Sequence, residues 1–314
     1  LKTFFKFNNR KKAKITLFAA MITTLLFVIT GCGAQDEKAS GSSKTDTIVI
    51  ATKGFAESDI LANLEKLLIE NDTDLKTEVK TLDNKLLWDA IKAGKADTYV
   101  EYTGTALLNL LKEDPIFDAD QVYEKVSKGL DAKYQLKILE PIGFNNTYGL
   151  AVKKEEADKL GIKTISDLAK VSDQLVFGAS QEYMNRPDSW PIIEKTYGLK
   201  YKEIKTIQEQ SLQYQAVKQN LIDSMIVYST DSKISDTGLK VLKDDRNVFL
   251  PYYAAPLIRE SVLKEHPELE KTLNKLAGKI TDEEMQKLNG EVELNQRPPL
   301  DVAKEWLKEQ GLIK

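Results

Sequence analysis

From residue 48 to the C-terminus the chain switches between two hydrophobic periods, and the whole pattern then restarts. Short apolar runs at 48–51 (IVIA), 78–82 and 97–101 read as strands, and each is followed by apolar residues at helical spacing, over 57–70, over 85–93 up to Gly94, and from Thr105 onward. A second series begins at 148–152, with strands expected at 175–178, 204–207 and 224–228. Helices are expected at 165–170, from near Pro187 to Tyr197, and at 212–220. Two more extended runs, 239–242 and 248–253, precede a helical tail over 267–279, 281–294 and 300–310, in which Thr281 and Glu284 have the spacing of a capping box. Alternation of this kind predicts an α/β fold with largely parallel sheets. Two such halves predict two lobes, 48–144 with 231–314 and 145–230. The tail packs on the first lobe, the chain crosses near 145 and 230, and the interlobe cleft is the expected ligand site.

The N-terminus speaks to location. Lys2, Lys6, Arg10, Lys11, Lys12 and Lys14 form a basic head, and residues 15–30 are an uncharged run of sixteen. A basic head followed by a short apolar run reads as a secretory signal, since a membrane span needs about 20 residues. Ile29-Thr30-Gly31-Cys32 resembles a bacterial lipobox, which implies lipidation at Cys32, a signal peptide over 1–31, and anchoring to the outer face of the cytoplasmic membrane, as on a Gram-positive cell surface. Cys32 is the single cysteine, so no internal disulfide is available. Residues 32–47 contain no large apolar side chain and read as a flexible tether.

Losing residues 1–31 removes six basic residues and no acidic one, which leaves 39 against 48 and a net charge of −9. That balance disfavours nucleic-acid binding, because phosphate contacts need a basic face. The single histidine, His266, stands before Pro267 and reads as a helix-boundary residue. The usual triad, zinc and nucleotide-binding motifs do not occur. No cofactor is expected, and an exported α/β protein without a catalytic signature is expected to bind rather than transform.

The chemistry that is present is aromatic. Four of the twelve tyrosines stand at or near strand ends among small or polar neighbours: Tyr102 in EYTGT, Tyr148 in FNNTYG, Tyr228 in VYSTD and Tyr252 in LPYYAAP. A quaternary ammonium has no N–H to donate. Its charge is spread over methyl groups that lie well against π-faces, at roughly 0.5–2 kcal/mol per contact. In the turn after Tyr102, Thr103-Gly104-Thr105 falls at a helix start, where free N–H groups favour an anion. Thr105 can cap that helix or donate to a ligand. A cation-favouring ring beside an anion-favouring helix start suits a zwitterion such as a betaine. Lys53 and Arg186 are candidate partners for its carboxylate.

Taken together, IVIATKGFAESDILANL, YTGT, GFNNTYGLAV, VYSTD, KVLKDDRNVFLPYYAAP and KEHPELEKTLNKLAGKI resemble the substrate-binding lipoproteins of bacterial ABC importers for quaternary-ammonium osmoprotectants. The resemblance spans the chain from about residue 48 onward. It implies a two-lobe type II periplasmic-binding fold that closes on its ligand, and delivery of glycine betaine, carnitine, choline or proline betaine to a permease with its ATPase. It also implies an ammonium cage of Tyr102, Tyr148, Tyr228 and Tyr252, with Tyr253 as an alternative to the last. Lys53, Thr105 and Arg186 fall on the carboxylate side, and the backbone around Asn146 lines the pocket. A surface sensor on the same fold, an exported enzyme, and a binder of primary-ammonium amino acids are the competing readings. The last requires a carboxylate to accept N–H bonds. Glu101 is the nearby candidate, although strand alternation points it away from Tyr102.

Overall fold

A computed structural model describes residues 47–185 and 189–314. Ten strands form two five-stranded sheets. The first holds β1 (Thr47–Thr52), β2 (Lys76–Thr81), β3 (Thr98–Tyr102), β4 (Leu136–Ile138) and β10 (Ala254–Arg259). The second holds β5 (Tyr148–Lys153), β6 (Val176–Ala179), β7 (Glu203–Thr206), β8 (Ser224–Tyr228) and β9 (Leu239–Val241). The strand orders are β2-β1-β3-β10-β4 and β7-β6-β8-β5-β9. They are one order used twice, with β1, β2, β3, β10 and β4 corresponding to β6, β7, β8, β5 and β9. In each sheet four strands run parallel, and the one strand reached by a chain crossing runs antiparallel to them. This is the two-lobe α/β architecture that the sequence predicts.

Local sequence explains the elements that hold the lobes. Ile48 and Ile50 of β1 are buried, and the Val49 N–H donates to the Asp97 carboxylate at 2.8 Å. Asp97 in turn pairs with Arg259 of β10 at 2.5 Å, so β1 and β10 meet through one side chain. Asp83 caps the helix Asn84–Lys92, and Thr164 with Asp167 forms a complete capping box on Ile165–Ala169. At Thr281 only half of the expected box forms. The Thr281 hydroxyl accepts from the Glu284 N–H, while the Glu284 carboxylate accepts from the Trp306 indole at 2.9 Å. That diversion ties Asp282–Glu293 to Pro299–Glu309. Leu61, Leu64, Leu68, Met285, Leu288, Val302 and Trp306 then form one apolar cluster, which seats the tail on the first lobe.

Two expectations are corrected. The chain does not return to the first lobe near residue 230. β9 pairs with β5, so lobe two extends past 241 and the second crossing lies between β9 and β10. Residues 229–232 do touch the tail, since Gln286 and Asn289 donate to the carbonyls of Ser229 and Thr230 and Ser232 donates to Glu293. They then fold back. The run 248–253 is this crossing and not a strand; the strand follows as β10. Pro256, which has no N–H for a ladder, disguises it in the sequence. After β3 the helix begins at Thr103 and passes into a π-turn over Ala106–Leu110.

Glu65, on the helix Ala56–Asp72, is wholly buried, and among the described residues only the Thr98 hydroxyl donates to its oxygens, at 3.4 Å. Burial pushes its carboxyl up to about 8 from 4.5. Between those values the folded protein keeps a proton that the unfolded chain has released, so stability falls as pH rises through the window. The slope approaches ~1.4 kcal/mol per pH unit. Urea unfolding at pH 5, 6.5 and 8 should show this trend in the wild type and a much flatter one in Glu65→Gln.

Candidate functional site

The repeated strand order brings the predicted tyrosines to equivalent places. Tyr102 is the last residue of β3, and Tyr228 is the last residue of β8, the corresponding strand. Each is followed by a hydroxyl residue that grips a crossing. The Thr103 hydroxyl accepts from the Tyr253 N–H at 3.1 Å. The Ser229 hydroxyl donates to the Asn145 carbonyl and accepts from the Thr147 N–H at 3.1 Å. The partners come from the antiparallel strands: Tyr148 opens β5 opposite Tyr228, and Tyr252 lies two residues before Ala254, which pairs with Tyr102.

On the second lobe the rings of Tyr148 and Tyr228 stack at 4.8 Å with 28° between planes, and their hydroxyls meet at 3.1 Å. Tyr183, from the short helix Gln181–Asn185, stands edge-on to Tyr148 at 6.1 Å. Tyr228 is 45% exposed, unusual for a strand tyrosine whose four predecessors are buried. It borders two cavities. One of about 360 Å³ is lined by Tyr148, Ser180, Tyr183, Gln208 and Gln213. The other, of about 550 Å³, reaches Phe55, Glu57, Asn146, Lys233 and Asn289.

On the first lobe Tyr102 is only 7% exposed, and Tyr252 packs with it in the tail cluster. The Tyr102 hydroxyl donates to Glu57 at 2.5 Å. Burial first, and the Glu57 carboxylate second, hold that phenol well above its usual range. Tyr253 lines a recess together with Tyr148, Phe117 and Asp282.

The remaining expected residues divide. Asn146 gives its backbone N–H to the Tyr252 carbonyl at 3.1 Å and its side-chain NH₂ to Glu57 at 2.8 Å, and it lines the larger cavity. Lys53 is not a free cation awaiting a carboxylate. Its ammonium pairs with Glu101 at 2.5 Å, with the lysine side chain 6% exposed, and lies 4.9 Å from the Tyr102 ring centroid. Glu101 shares the face of Tyr99, whose hydroxyl it accepts at 2.9 Å, as strand alternation requires. Thr105 does not cap the helix. The helix starts two residues earlier, no side chain caps it, and Thr105 sits half-buried inside the first turn. The Thr103 N–H, a donor the sequence suggested for an anion, is used by the Tyr253 carbonyl at 3.0 Å. Arg186 and Cys32 lie outside the described residues. Among the described residues no cluster of His, Cys, Asp and Glu is arranged to hold a metal ion, and no helix is long and apolar enough to cross a membrane.

Three contributors escape a sequence reading. Tyr183 carries the same signal as the cage tyrosines, an aromatic just past a strand end. Glu57, in the first turn of its helix, reads only as a residue favoured by the helix dipole. Asn289, on the tail, gives no signal at all.

Comparison with known proteins decides the family. Residues 46–309 match the substrate-binding domain of ABC-type glycine betaine transport systems. The chain belongs to that family. It is similar to the carnitine transport binding protein OpuCC of Listeria monocytogenes, 38% identical over 96% of this chain and 98% of that one. It also resembles the ergothioneine transport permease/ergothioneine binding protein EgtU of Helicobacter pylori, 36% identical over 84% of this chain and 48% of that longer protein. A crystal structure of a glycine betaine/carnitine/choline ABC transporter superposes with a TM-score of 0.80 at 36% identity, covering 85% of this chain and all of that one. As a member of this family the chain is a substrate-binding component of an ABC importer.

The Y-T-G-T turn has a steric reason for its glycine. A Cβ on Gly104 would stand 2.7 Å from the Pro251 carbonyl oxygen and 2.7 Å from the Tyr252 ring. Backbone and ring cannot both yield, so Gly104→Ala should cost about 1–3 kcal/mol in chemical denaturation. It should also weaken ligand binding by displacing Tyr252.

Proposed function

We propose that this protein binds a quaternary-ammonium osmoprotectant such as glycine betaine, carnitine, choline or proline betaine in the cleft between its lobes, and delivers it to a permease and its ATPase. The observation that carries the reading is the stacked Tyr148–Tyr228 pair, whose exposed member Tyr228 borders two cavities. Aromatic faces select a cation that cannot hydrogen-bond. Tyr102 and Tyr252 complete the cage from the first lobe, and the packing of Tyr252 in the cluster that holds Tyr102 favours it over Tyr253 as the fourth ring. Because Tyr102 is buried beside the Lys53 ammonium, ligand entry requires Lys53 to shift. Thr105 and Arg186 are left as the partners of a ligand carboxylate. A primary-ammonium ligand fits less well. Glu101, the carboxylate suggested for it, already accepts from Lys53, Tyr99 and the Tyr102 N–H. Lipidation at Cys32 holds the protein on the outer face of the cytoplasmic membrane, and Cys32→Ala should release it or leave the signal uncleaved.

Calorimetric titration of residues 45–314 with the four osmoprotectants and with ergothioneine, itself a trimethylammonium betaine, tests the reading. Saturable binding of at least one is expected, and binding of none sinks it. Tyr148→Ala and Tyr228→Ala should each weaken the preferred ligand by about five- to thirty-fold, with Phe at either position losing less. Small-angle scattering should show compaction on adding ligand.

A further inference from the structure

Glu57 is 3% exposed, and among the described residues no Lys or Arg pairs with it. Three donors converge on it instead: the Tyr102 hydroxyl and the Asn146 NH₂ on Oε1, at 2.5 and 2.8 Å, and the Asn289 NH₂ on Oε2 at 3.1 Å. All are donors, which suits an acceptor-only carboxylate. Asn289 makes the point more strongly. Its NH₂ serves both Glu57 and the Thr230 carbonyl, while its own Oδ1 is buried with no partner among the described residues. An amide that leaves its oxygen unpaired to aim donors at two acceptors is shaped around a negative charge. A buried charge without a counter-ion is costly, and hydrogen bonds offset only part of that cost. Glu57 also lines the larger cavity together with Tyr228.

We infer that Glu57 is the counter-charge of the bound cation and acts on it mainly through Tyr102. A phenol that donates a short hydrogen bond to a carboxylate shifts electron density toward its ring, and a more negative ring face holds a cation better. The carboxylate itself stays behind the ring, where a quaternary ammonium needs no direct contact. Tyr102 is therefore the cage ring with the strongest pull, and Glu57 is a positioning residue. The hydroxyls of Tyr148 and Tyr228 meet each other at 3.1 Å, and a contact between two neutral hydroxyls has no such effect.

The inference rests on the quaternary-ammonium reading, and its test separates the two. Choline is titrated into wild type, Glu57→Gln, Tyr102→Phe and the double variant. Its neutral carbon isostere 3,3-dimethylbutan-1-ol is measured in parallel by direct titration at millimolar concentration. Glu57→Gln should weaken choline about tenfold or more and leave the isostere unchanged, because only the charge is felt. In the Tyr102→Phe background the same change should cost less than about threefold. Equal losses for choline and isostere would make Glu57 a packing residue, and equal losses in both backgrounds would remove Tyr102 from the route. Either result overturns the inference while the function stands. A folded wild type that binds no quaternary ammonium overturns both. If Glu57→Gln does not fold, Tyr102→Phe carries the case alone: it should lower choline affinity more than isostere affinity and more than Tyr148→Phe does, and no difference overturns the inference.

Discussion

The two crossings between lobes are hydrogen-bonded to each other, and the positions of Asn146, Tyr148 and Tyr252 follow from that. Ile142 N–H donates to the Ala254 carbonyl, Asn146 N–H to the Tyr252 carbonyl, and the Asn145 side chain accepts the Tyr252 N–H at 2.7 Å. The Thr147 hydroxyl donates to the Leu250 carbonyl at 2.6 Å. A pair of extended segments joined in this way bends as a unit, because rotation about one must be matched by the other. Tyr148 leaves one crossing and Tyr252 belongs to the other. The crossings and the proposed cage therefore draw on the same few residues.

The hydroxyl residues that follow Tyr102 and Tyr228 extend this arrangement into the sheets. Thr103 and Ser229 hold the crossings to the ends of β3 and β8, where the preceding tyrosines close each strand. Because both lobes use one strand order, the same local sequence device, tyrosine then a hydroxyl, works twice. The environments nevertheless differ. Tyr228 is open to solvent and pairs with a neutral ring, whereas Tyr102 lies between a carboxylate on its hydroxyl and an ammonium near its face. Identical side chains at related positions thus present faces of different electrostatic strength.

Charge in the first lobe is placed in matched sets. Lys53 and Glu101 neutralise each other, Asp97 takes Arg259, and Glu65 avoids the problem by keeping its proton. Glu57 stands apart because its partners are dipoles only. In a low-dielectric interior that difference marks where an external cation gains most.

What the sequence determined by itself was periodicity and local chemistry. Alternating strand and helix patterns specify an α/β chain in two parts, and small polar neighbours mark Tyr228 as a poor core former, whereas Tyr102, read the same way, is buried in the tail cluster. Both signals act within a few residues. The tertiary structure decided what depends on partners distant in the chain. β9 belongs to the second lobe because it finds an edge of β5, and its own three residues carry no address. Lys53 is committed to Glu101, 48 positions away, which no spacing rule connects. The Thr281 box is half-open because Trp306 competes for Glu284. Glu57 meets Asn146 and Asn289 only after both crossings and the tail are in place, since a buried carboxylate acquires its role from the donors that folding brings to it.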